Sequence, residues 1–149
     1  MKVIATNKKG YHNYEIIEIF EAGISLLGSE VKSIREGRVN LRDSYATLKN
    51  GEIFLVNSHI SSYKYSSYFN HDPYRERKLL LHKSQIRKIT GKIKEKGLTL
   101  IPLKIYINER GIIKLELALA KGRKVWEKKE LIKERDIKRE MEKELRRRN

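Results

Sequence analysis

Basic and aromatic residues are interleaved between residues 61 and 82, and these residue types suit the binding of RNA. A loop rich in Ser and Tyr is followed by Arg75, Arg77 and Lys78. Lys and Arg neutralise phosphates while aromatic rings stack on unpaired bases, so this combination is typical of sites for single-stranded or loop RNA. Two alternatives stay open: a charged connection between strands, and tyrosines packed at the end of a barrel. The aromatic residues concerned are Tyr63, Tyr65, Tyr68 and Phe69.

Two further residues are unusual for their surroundings. Glu21 is an acid in a strongly basic chain. Because a carboxylate repels phosphates, a functional role for Glu21 must be to accept hydrogen bonds from base edges. A salt bridge to a nearby Lys or Arg is the alternative. In the run Leu79-Leu80-Leu81, an extended backbone turns Leu80 away from its two neighbours and leaves it free to pack against a base.

The sequence offers no convergent set of catalytic groups. Its four histidines are scattered along the chain: His12, His59, His71 and His82. No pair of them has metal-ligand spacing, and neither a phosphate-binding Gly-rich loop nor a nucleophile elbow is present. We therefore expect no catalytic residue, no metal site and no cofactor. A ribonuclease site built from His71 and Asp72 with Arg75 and Arg77 is an alternative, although the Asp72-Pro73 turn explains the same residues structurally.

Composition limits the class of partner. The chain has 149 residues, with 34 Lys and Arg against 19 Asp and Glu, and a net charge of +15. So large an excess of positive charge implies a polyanionic partner, with nucleic acid ahead of an anionic membrane surface. There is no cysteine, which excludes disulfides and thiolate metal sites. No apolar run has the length of a membrane span. We expect a cytoplasmic protein that does not contact membranes.

The hydrophobic pattern predicts a mainly β fold of about six antiparallel strands. A basic, mobile arm over residues 1–13 precedes them. The turn at Asn50-Gly51 predicts a hairpin, and a slip in the alternation at Ile101-Pro102 predicts a bulge. Six such strands close as a small barrel of the oligonucleotide-binding (OB) kind, with two or three flanking helices. We assign this barrel domain to residues 1–122. An open sheet with helices on one face is the competing architecture. Five of the predicted strands are placed at residues 14–20, 44–49, 52–60, 98–107 and 113–120.

Two short helices accompany these strands. The first begins at an N-cap, Ser29, ends at Gly37 and turns Val31 and Ile34 inward. The second spans residues 84–96 and ends at a glycine. The residues expected on the outer face of the first helix are all basic: Lys32, Arg35 and Arg38.

Residues 123–149 form a basic C-terminal tail. The last 29 residues, 121–149, hold 13 of the 34 Lys and Arg and seven acids. Their apolar residues make a stripe too narrow to dock firmly on a core, and an isolated helix of this length is marginal in water. We therefore expect the tail to be disordered when free and helical when bound to an anionic partner. Trp126, the only tryptophan, lies between Lys124 and Lys128 and is expected to stack on a base.

Several blocks of the sequence, in the same order, resemble the small protein B family. They are Asn7-Lys8-Lys9, Glu21-Ala22-Gly23-Ile24, Gly28-Ser29-Glu30-Val31-Lys32-Ser33-Ile34-Arg35, Asp43-Ser44-Tyr45, Asn70-His71-Asp72-Pro73, Arg75-x-Arg77-Lys78-Leu79-Leu80-Leu81, Gly97-Leu98-Thr99-Leu100-Ile101-Pro102 and Ala120-Lys121-Gly122-Arg123-Lys124. The resemblance implies an OB-like barrel that binds transfer-messenger RNA (tmRNA, or SsrA RNA) at the D-loop elbow of its tRNA-like domain. It also implies delivery of that RNA to stalled ribosomes for trans-translation.

The resemblance also assigns roles to residues. RNA contacts of the family correspond to Asn7, Lys8, His12, Glu21, Lys32, Ser33, Lys78, Leu80 and His82, to which the basic pattern adds Arg75 and Arg77. The tail is implied to reach the small-subunit decoding centre and the mRNA channel. Its expected contacts are Lys124, Trp126, Lys128, Lys129, Arg135 and Arg139. We expect a monomer that is not an enzyme. A generic RNA-binding or ribosomal protein, and less favourably a ribonuclease, are the alternatives.

One block departs from the family's pattern. Glu127-Lys128-Lys129 stands where the family usually has Asp-Lys-Arg. The order of charges is kept, but Lys does not provide the bidentate fork of Arg. Which tail residue contacts which ribosomal base is therefore left open.

Overall fold

The structure is a computed structural model that describes residues 1–65 and 70–148, without the side chains of residues 125, 126 and 148. The sequence predictions for Tyr68, Phe69 and the Trp126 ring lie outside the described residues. Within these ranges the chain forms nine strands and four helices. In chain order they are β1 (Lys2–Thr6), α1 (Lys8–Asn13), β2 (Tyr14–Ile24), α2 (Gly28–Arg35), β3 (Val39–Asn40), β4 (Tyr45–Lys49), β5 (Glu52–Val56), β6 (His59–Ile60), β7 (Arg77–Leu80), α3 (Lys83–Lys96), β8 (Thr99–Ile107), β9 (Ile113–Gly122) and α4 (Val125–Arg148).

Six of the strands close into a ring. Strand β8 pairs with β4 and with β9, and the path between those two partners runs through β5, β7 and β2. All pairings are antiparallel. Strand β1 lies outside the ring on β8, while β3 and β6 form a separate ribbon. The predicted mainly β, six-stranded antiparallel fold is confirmed, and the β8–β9 pairing excludes the open sheet.

The core fills the ring and continues beneath two helices. Alternate residues of the strands point inward, as the period of two requires. Ile34 of α2 and Ile89 of α3 are fully buried against the same cluster, so both helices cover the ring with an apolar face. The main buried residues from the strands are Phe20, Ala22, Ile53, Leu55, Leu79, Leu100, Ile105, Leu115, Leu117 and Leu119.

Local turn chemistry follows the sequence closely. Asn50 and Gly51 have φ values of 52° and 74°, the left-handed pair that a two-residue hairpin turn requires. Helix α3 ends at Gly97, whose φ of 63° suits a residue without Cβ. The register of β8 against β9 shifts between Pro102 and Lys104, next to the predicted bulge. A bulge accommodates proline because proline has no N–H for the ladder.

The N-terminal segment is not a mobile arm, and that prediction was wrong. Residues 2–6 form β1, which pairs with β8, and residues 8–13 form α1. Asn7 joins the two elements. Its Oδ1 accepts a hydrogen bond from the Gly10 N–H at 3.0 Å, and its Nδ2 donates to the Pro102 carbonyl at 2.9 Å. The unpaired edge of β8 provides the partner that the short apolar run of β1 needs.

Helix α2 begins two residues earlier than predicted. Its N-cap is Leu27 rather than Ser29, and the Leu27 N–H donates to the Glu30 carboxylate at 2.8 Å. Ser29 instead points into the protein, where its hydroxyl lies 2.8 Å from Nδ1 of His71. The helix stops as predicted before Gly37, which has a φ of 76°. Its basic outer face is exposed as expected.

The tail is helix α4 in the structure. Its apolar stripe is largely uncovered, with side chains 45–62% exposed. These side chains are Ile132, Ile137, Met141 and Leu145. The helical propensity expected from the sequence is therefore visible, whereas disorder of the tail in the absence of a partner stays a prediction. No helix in the described ranges has the length and apolar character needed to cross a membrane.

Candidate nucleic-acid interface

An open groove of about 450 Å³ brings together three of the predicted RNA-binding residues. Glu21 comes from β2, Leu80 from the end of β7 and His82 from the segment before α3. Strands β2 and β7 pair directly, with Gly23 opposite Leu80. A Cβ on Gly23 would lie 3.2 Å from the Leu80 Cβ, so glycine permits this close pairing. The groove is completed by Gly23, Leu81, Gln85 and Lys114.

Leu80 has the exposure that a base-packing residue requires. Leu79 is 1% exposed and Leu80 is 50% exposed, while Leu81 packs partly against the core. The predicted alternation is therefore correct. An apolar side chain so exposed in the groove offers an apolar contact for the face of a nucleobase.

The partner of Glu21 is a tyrosine rather than a cation. The buried Tyr106, which lies in β8, donates a hydrogen bond from its hydroxyl to Oε2 of Glu21. Burial, with a further contribution from this hydrogen bond, raises the pKa of Tyr106, so its hydroxyl stays a donor at neutral pH. Oε1 has no hydrogen-bond partner among the described residues. The carboxylate is thus oriented by one oxygen while the other is available to accept from a base edge.

Arg77 does not contact solvent, which corrects its assignment as an RNA-binding residue. Its side chain is 0% exposed and its Nε lies 2.6 Å from Oε2 of Glu30, which is also 0% exposed. The remaining guanidinium N–H groups donate to Ser58 and to the carbonyl of Pro73. A buried charge must be paired and hydrogen-bonded in this way. Arg77 therefore anchors α2 to β7.

Arg75 shares the same carboxylate from the surface side. Its guanidinium is 34% exposed and lies 2.6 Å from Oε1 of Glu30. Burial on its own would raise the pKa of Glu30, but hydrogen bonds from the two guanidinium groups and from Leu27 N–H outweigh it and hold that pKa below its ordinary value. Glu30 is therefore ionised at neutral pH. Arg75 keeps only part of its donor set for an RNA.

Two more predicted RNA contacts are buried and already hydrogen-bonded. Asn7 is 5% exposed and both ends of its amide bond to the backbone, as described above. Ser33 is 0% exposed, and its hydroxyl donates to the Ser61 carbonyl at 2.7 Å. Neither side chain has a surface to present to RNA. Both instead hold loops in place beside residues that do reach the surface.

The exposed lysines among the predicted RNA-binding residues differ in whether they already form a salt bridge within the protein. Lys8 and Lys32 are exposed and have no ion-pair partner in the described part of the chain. Lys78 is 43% exposed and forms a 2.8 Å salt bridge with Glu52. An exposed pair of this kind is weak enough for a phosphate to displace. His12 is half-buried in α1, and His82 is exposed.

His71 has a structural role. It is 5% exposed, with Nε2 2.8 Å from the Ile60 carbonyl and Nδ1 2.8 Å from the Ser29 hydroxyl. A carbonyl only accepts, so Nε2 carries the proton and Nδ1 accepts from Ser29. Both ring nitrogens are thereby occupied. The arrangement does not support the ribonuclease site that the sequence left open, because its general base is buried and its Arg77 is held by Glu30.

Comparison with known proteins places the whole chain in a family. The model of the family described as SmpB protein matches residues 4–147. The chain belongs to the SmpB family. It is 62% identical to the SsrA-binding protein of Persephonella marina, over 96% of this chain and 93% of that protein. The SsrA-binding protein of Symbiobacterium thermophilum is 55% identical, over 96% and 90%.

A solved structure also resembles this SmpB-family chain. It is described as "tmRNA-SmpB: a journey to the center of the bacterial ribosome" and is 51% identical, with a TM-score of 0.68. The match covers 84% of this chain and 87% of that one. The family resemblance inferred from the sequence motifs is thus confirmed over nearly the whole chain.

The tail residues predicted to contact the ribosome lie along α4 or just before it. Lys124 precedes the helix, and its N–H donates to the Glu127 carboxylate at 3.3 Å. Lys129, Arg135 and Arg139 are exposed, and Lys128 is half-buried. No described residue outside the helix pairs with these side chains. They stay candidates for contacts with an anionic partner.

Proposed function

We propose that this protein binds tmRNA and delivers it to stalled ribosomes for trans-translation. The observation that carries the proposal is the groove in which Glu21, Leu80 and His82 come together from separate parts of the chain. An acceptor, an apolar contact and an imidazole in one open groove suit the recognition of unpaired bases. The names of the relatives, SsrA-binding protein, and the solved tmRNA–SmpB structure support the same RNA.

The groove is proposed to take the D-loop elbow of the tRNA-like domain. Unpaired loop bases expose edges and faces that a duplex hides, and Glu21 and Leu80 address an edge and a face respectively. Lys8, Lys32 and Lys78 then bind phosphates, which positions the RNA without specifying its sequence. Residues 1–122 supply this binding unit. Residues 123–149 are proposed to act at the decoding centre and the mRNA channel.

We propose a binding role without catalysis, in the cytoplasm where ribosomes work. Family membership supports RNA binding, and the buried, hydrogen-bonded positions of His71 and Arg77 favour a binding role over the ribonuclease site considered from the sequence. A generic RNA-binding protein would use phosphate contacts alone, and Glu21 would then hinder it. This difference allows the two functions to be separated by experiment.

The test is a competition between tmRNA and unrelated RNA at one fixed, moderate salt concentration. Glu21→Ala is expected to weaken tmRNA binding by about 1–3 kcal/mol while leaving binding to unrelated RNA nearly unchanged. Leu80→Ala should act in the same direction. Glu15→Ala in the same strand and the exposed Ile112→Ala serve as matched controls and should bind normally. Equal losses for both RNAs in Glu21→Ala would refute base recognition at this groove.

A further inference from the structure

The outer face of α2 is basic and unpaired. Lys32, Arg35 and Arg38 are exposed, and none of them forms an ion pair with another described residue. These three cations, two on α2 and one three residues after its end, create a local positive potential that attracts phosphates. Resemblance to the family accounts for Lys32 alone, so the rest of the face calls for its own explanation.

Two tyrosines continue this basic face. Tyr63 and Tyr65 form an edge-to-face pair, with ring centroids 5.5 Å apart and planes at 66°. Nζ of Lys32 lies 5.4 Å from the Tyr63 ring centre, and Nζ of Lys64 lies 4.9 Å from that of Tyr65. Tyr65 is 70% exposed. Packing at the end of the barrel therefore does not explain Tyr65, because its ring is mostly in solvent.

The backbone at Ser61 and Tyr63 is held by hydrogen bonds in the free protein. Asn70 holds Tyr63 by two hydrogen bonds, accepting from its N–H at 3.1 Å and donating to its carbonyl at 3.0 Å. Ser33 donates to the Ser61 carbonyl, and the Ser61 N–H donates to the Arg38 carbonyl at 3.0 Å. Ser61 is thus tied to α2 and to Arg38, and Tyr63 to Asn70. Backbone positions held in this way lose little conformational entropy on binding.

We propose that Tyr63 and Tyr65 form a stacking platform for an unpaired base of an RNA loop, with Lys32 and Lys64 binding the flanking phosphates. Aromatic rings interleaved with cations fit single-stranded RNA, in which each nucleotide offers a flat base and an anionic phosphate. The exposed ring of Tyr65 makes the principal stack, and Tyr63 supports it at its edge. This platform adds a binding site to the proposed function, and it rests on that function because it takes tmRNA as the ligand.

The experiment measures tmRNA affinity over a range of salt concentrations for the full-length protein and three variants. Tyr65→Leu removes the ring, and Tyr65→Phe keeps it without the hydroxyl. Tyr74→Leu is the matched control, because Tyr74 is 57% exposed and packs against His59 with no lysine over its ring. Tyr65→Leu should lose roughly tenfold in affinity, within the range for one base stack. Its salt slope should not change, because no phosphate contact is lost.

The outcomes separate cleanly. Normal binding by Tyr65→Phe and Tyr74→Leu, together with the loss in Tyr65→Leu, supports the platform. Tyr65→Leu binding as tightly as the unmodified protein overturns it, as does an equal loss in Tyr65→Phe or a flattened salt slope. If the unmodified protein shows no preference for tmRNA, the proposed function fails instead. The platform is then judged by the same three variants on an unstructured single-stranded RNA.

Discussion

Arg77 and Lys78 are neighbours in β7 and carry the same charge, yet the structure predicts opposite consequences of removing them. Arg77→Met takes the 2.6 Å Nε donor from the fully buried Glu30 carboxylate, which keeps only the partly exposed Arg75 as an ion-pair partner, and it removes the guanidinium donors from the carbonyls of Ser58 and Pro73. Lys78→Met removes only an exposed salt bridge with Glu52. The first change should destabilise the fold, and the second should affect RNA binding.

The magnitudes follow from burial. Breaking a buried ion pair by removing one partner costs about 3–5 kcal/mol. For a chain of this size, each kcal/mol lowers the melting temperature by about 2–4 °C, so Arg77→Met should melt roughly 6–20 °C lower. An exposed pair contributes less than about 1 kcal/mol, so Lys78→Met should melt within a few degrees of the unmodified protein. Its plot of log affinity against log salt should flatten by about one unit.

The assay is thermal and urea unfolding of both variants, run beside an RNA titration across salt concentrations. Glu30→Gln combined with Arg77→Met should cost less than the sum of the two single changes, because the double variant leaves no fully buried charge unpaired and Arg75, which loses its partner, is partly exposed. A stable Arg77→Met protein with weakened RNA binding would refute the buried role of Arg77. An unchanged salt slope in Lys78→Met would place that side chain away from the RNA.

Two further predictions concern pH and the tail. The folded pKa of Glu30 lies below its ordinary value of 4.5, so the stability it contributes is complete above that pH and is lost as pH falls through the folded pKa. Urea unfolding of the unmodified protein and Glu30→Gln should therefore converge in acid; a gap that stays constant would contradict the ion pair. Truncation before Glu130 should change tmRNA affinity less than about tenfold but abolish rescue in a trans-translation assay, since the tail's expected partner is ribosomal RNA. Full rescue activity without the tail would contradict its proposed role.

Features that depend on a few neighbouring residues could be predicted from the sequence. The Asn50-Gly51 hairpin and the end of α3 at Gly97 follow from the freedom of glycine and asparagine to adopt positive φ. The opposite orientations of Leu79 and Leu80 follow from the pleat of a strand. Each of these features depends on the backbone geometry of a few adjacent residues, which can be predicted from their types.

Features that depend on distant partners could not be predicted in the same way. Glu30 and Arg77 are separated by 47 residues, and Glu21 and Tyr106 by 85. Nothing in the sequence near Arg77 distinguishes it from Lys78 as the buried cation. Strand β1 was missed for the same reason, because so short a segment becomes a strand only when the edge of β8 lies beside it.

Strand β7 shows how the fold and the proposed interface depend on one register. Its inward residues, Arg77 and Leu79, are 0% and 1% exposed, whereas Leu80 on the outward side is 50% exposed. The outward set places a cation two residues from an apolar contact, which suits a phosphate and a base of one RNA strand. A slip of one residue would bury Lys78 and Leu80 and expose Arg77 and Leu79. The pairings of Leu79 with Ile53 and of Leu80 with Gly23 prevent that slip, so the contacts that close the ring also determine which residues of β7 can face RNA.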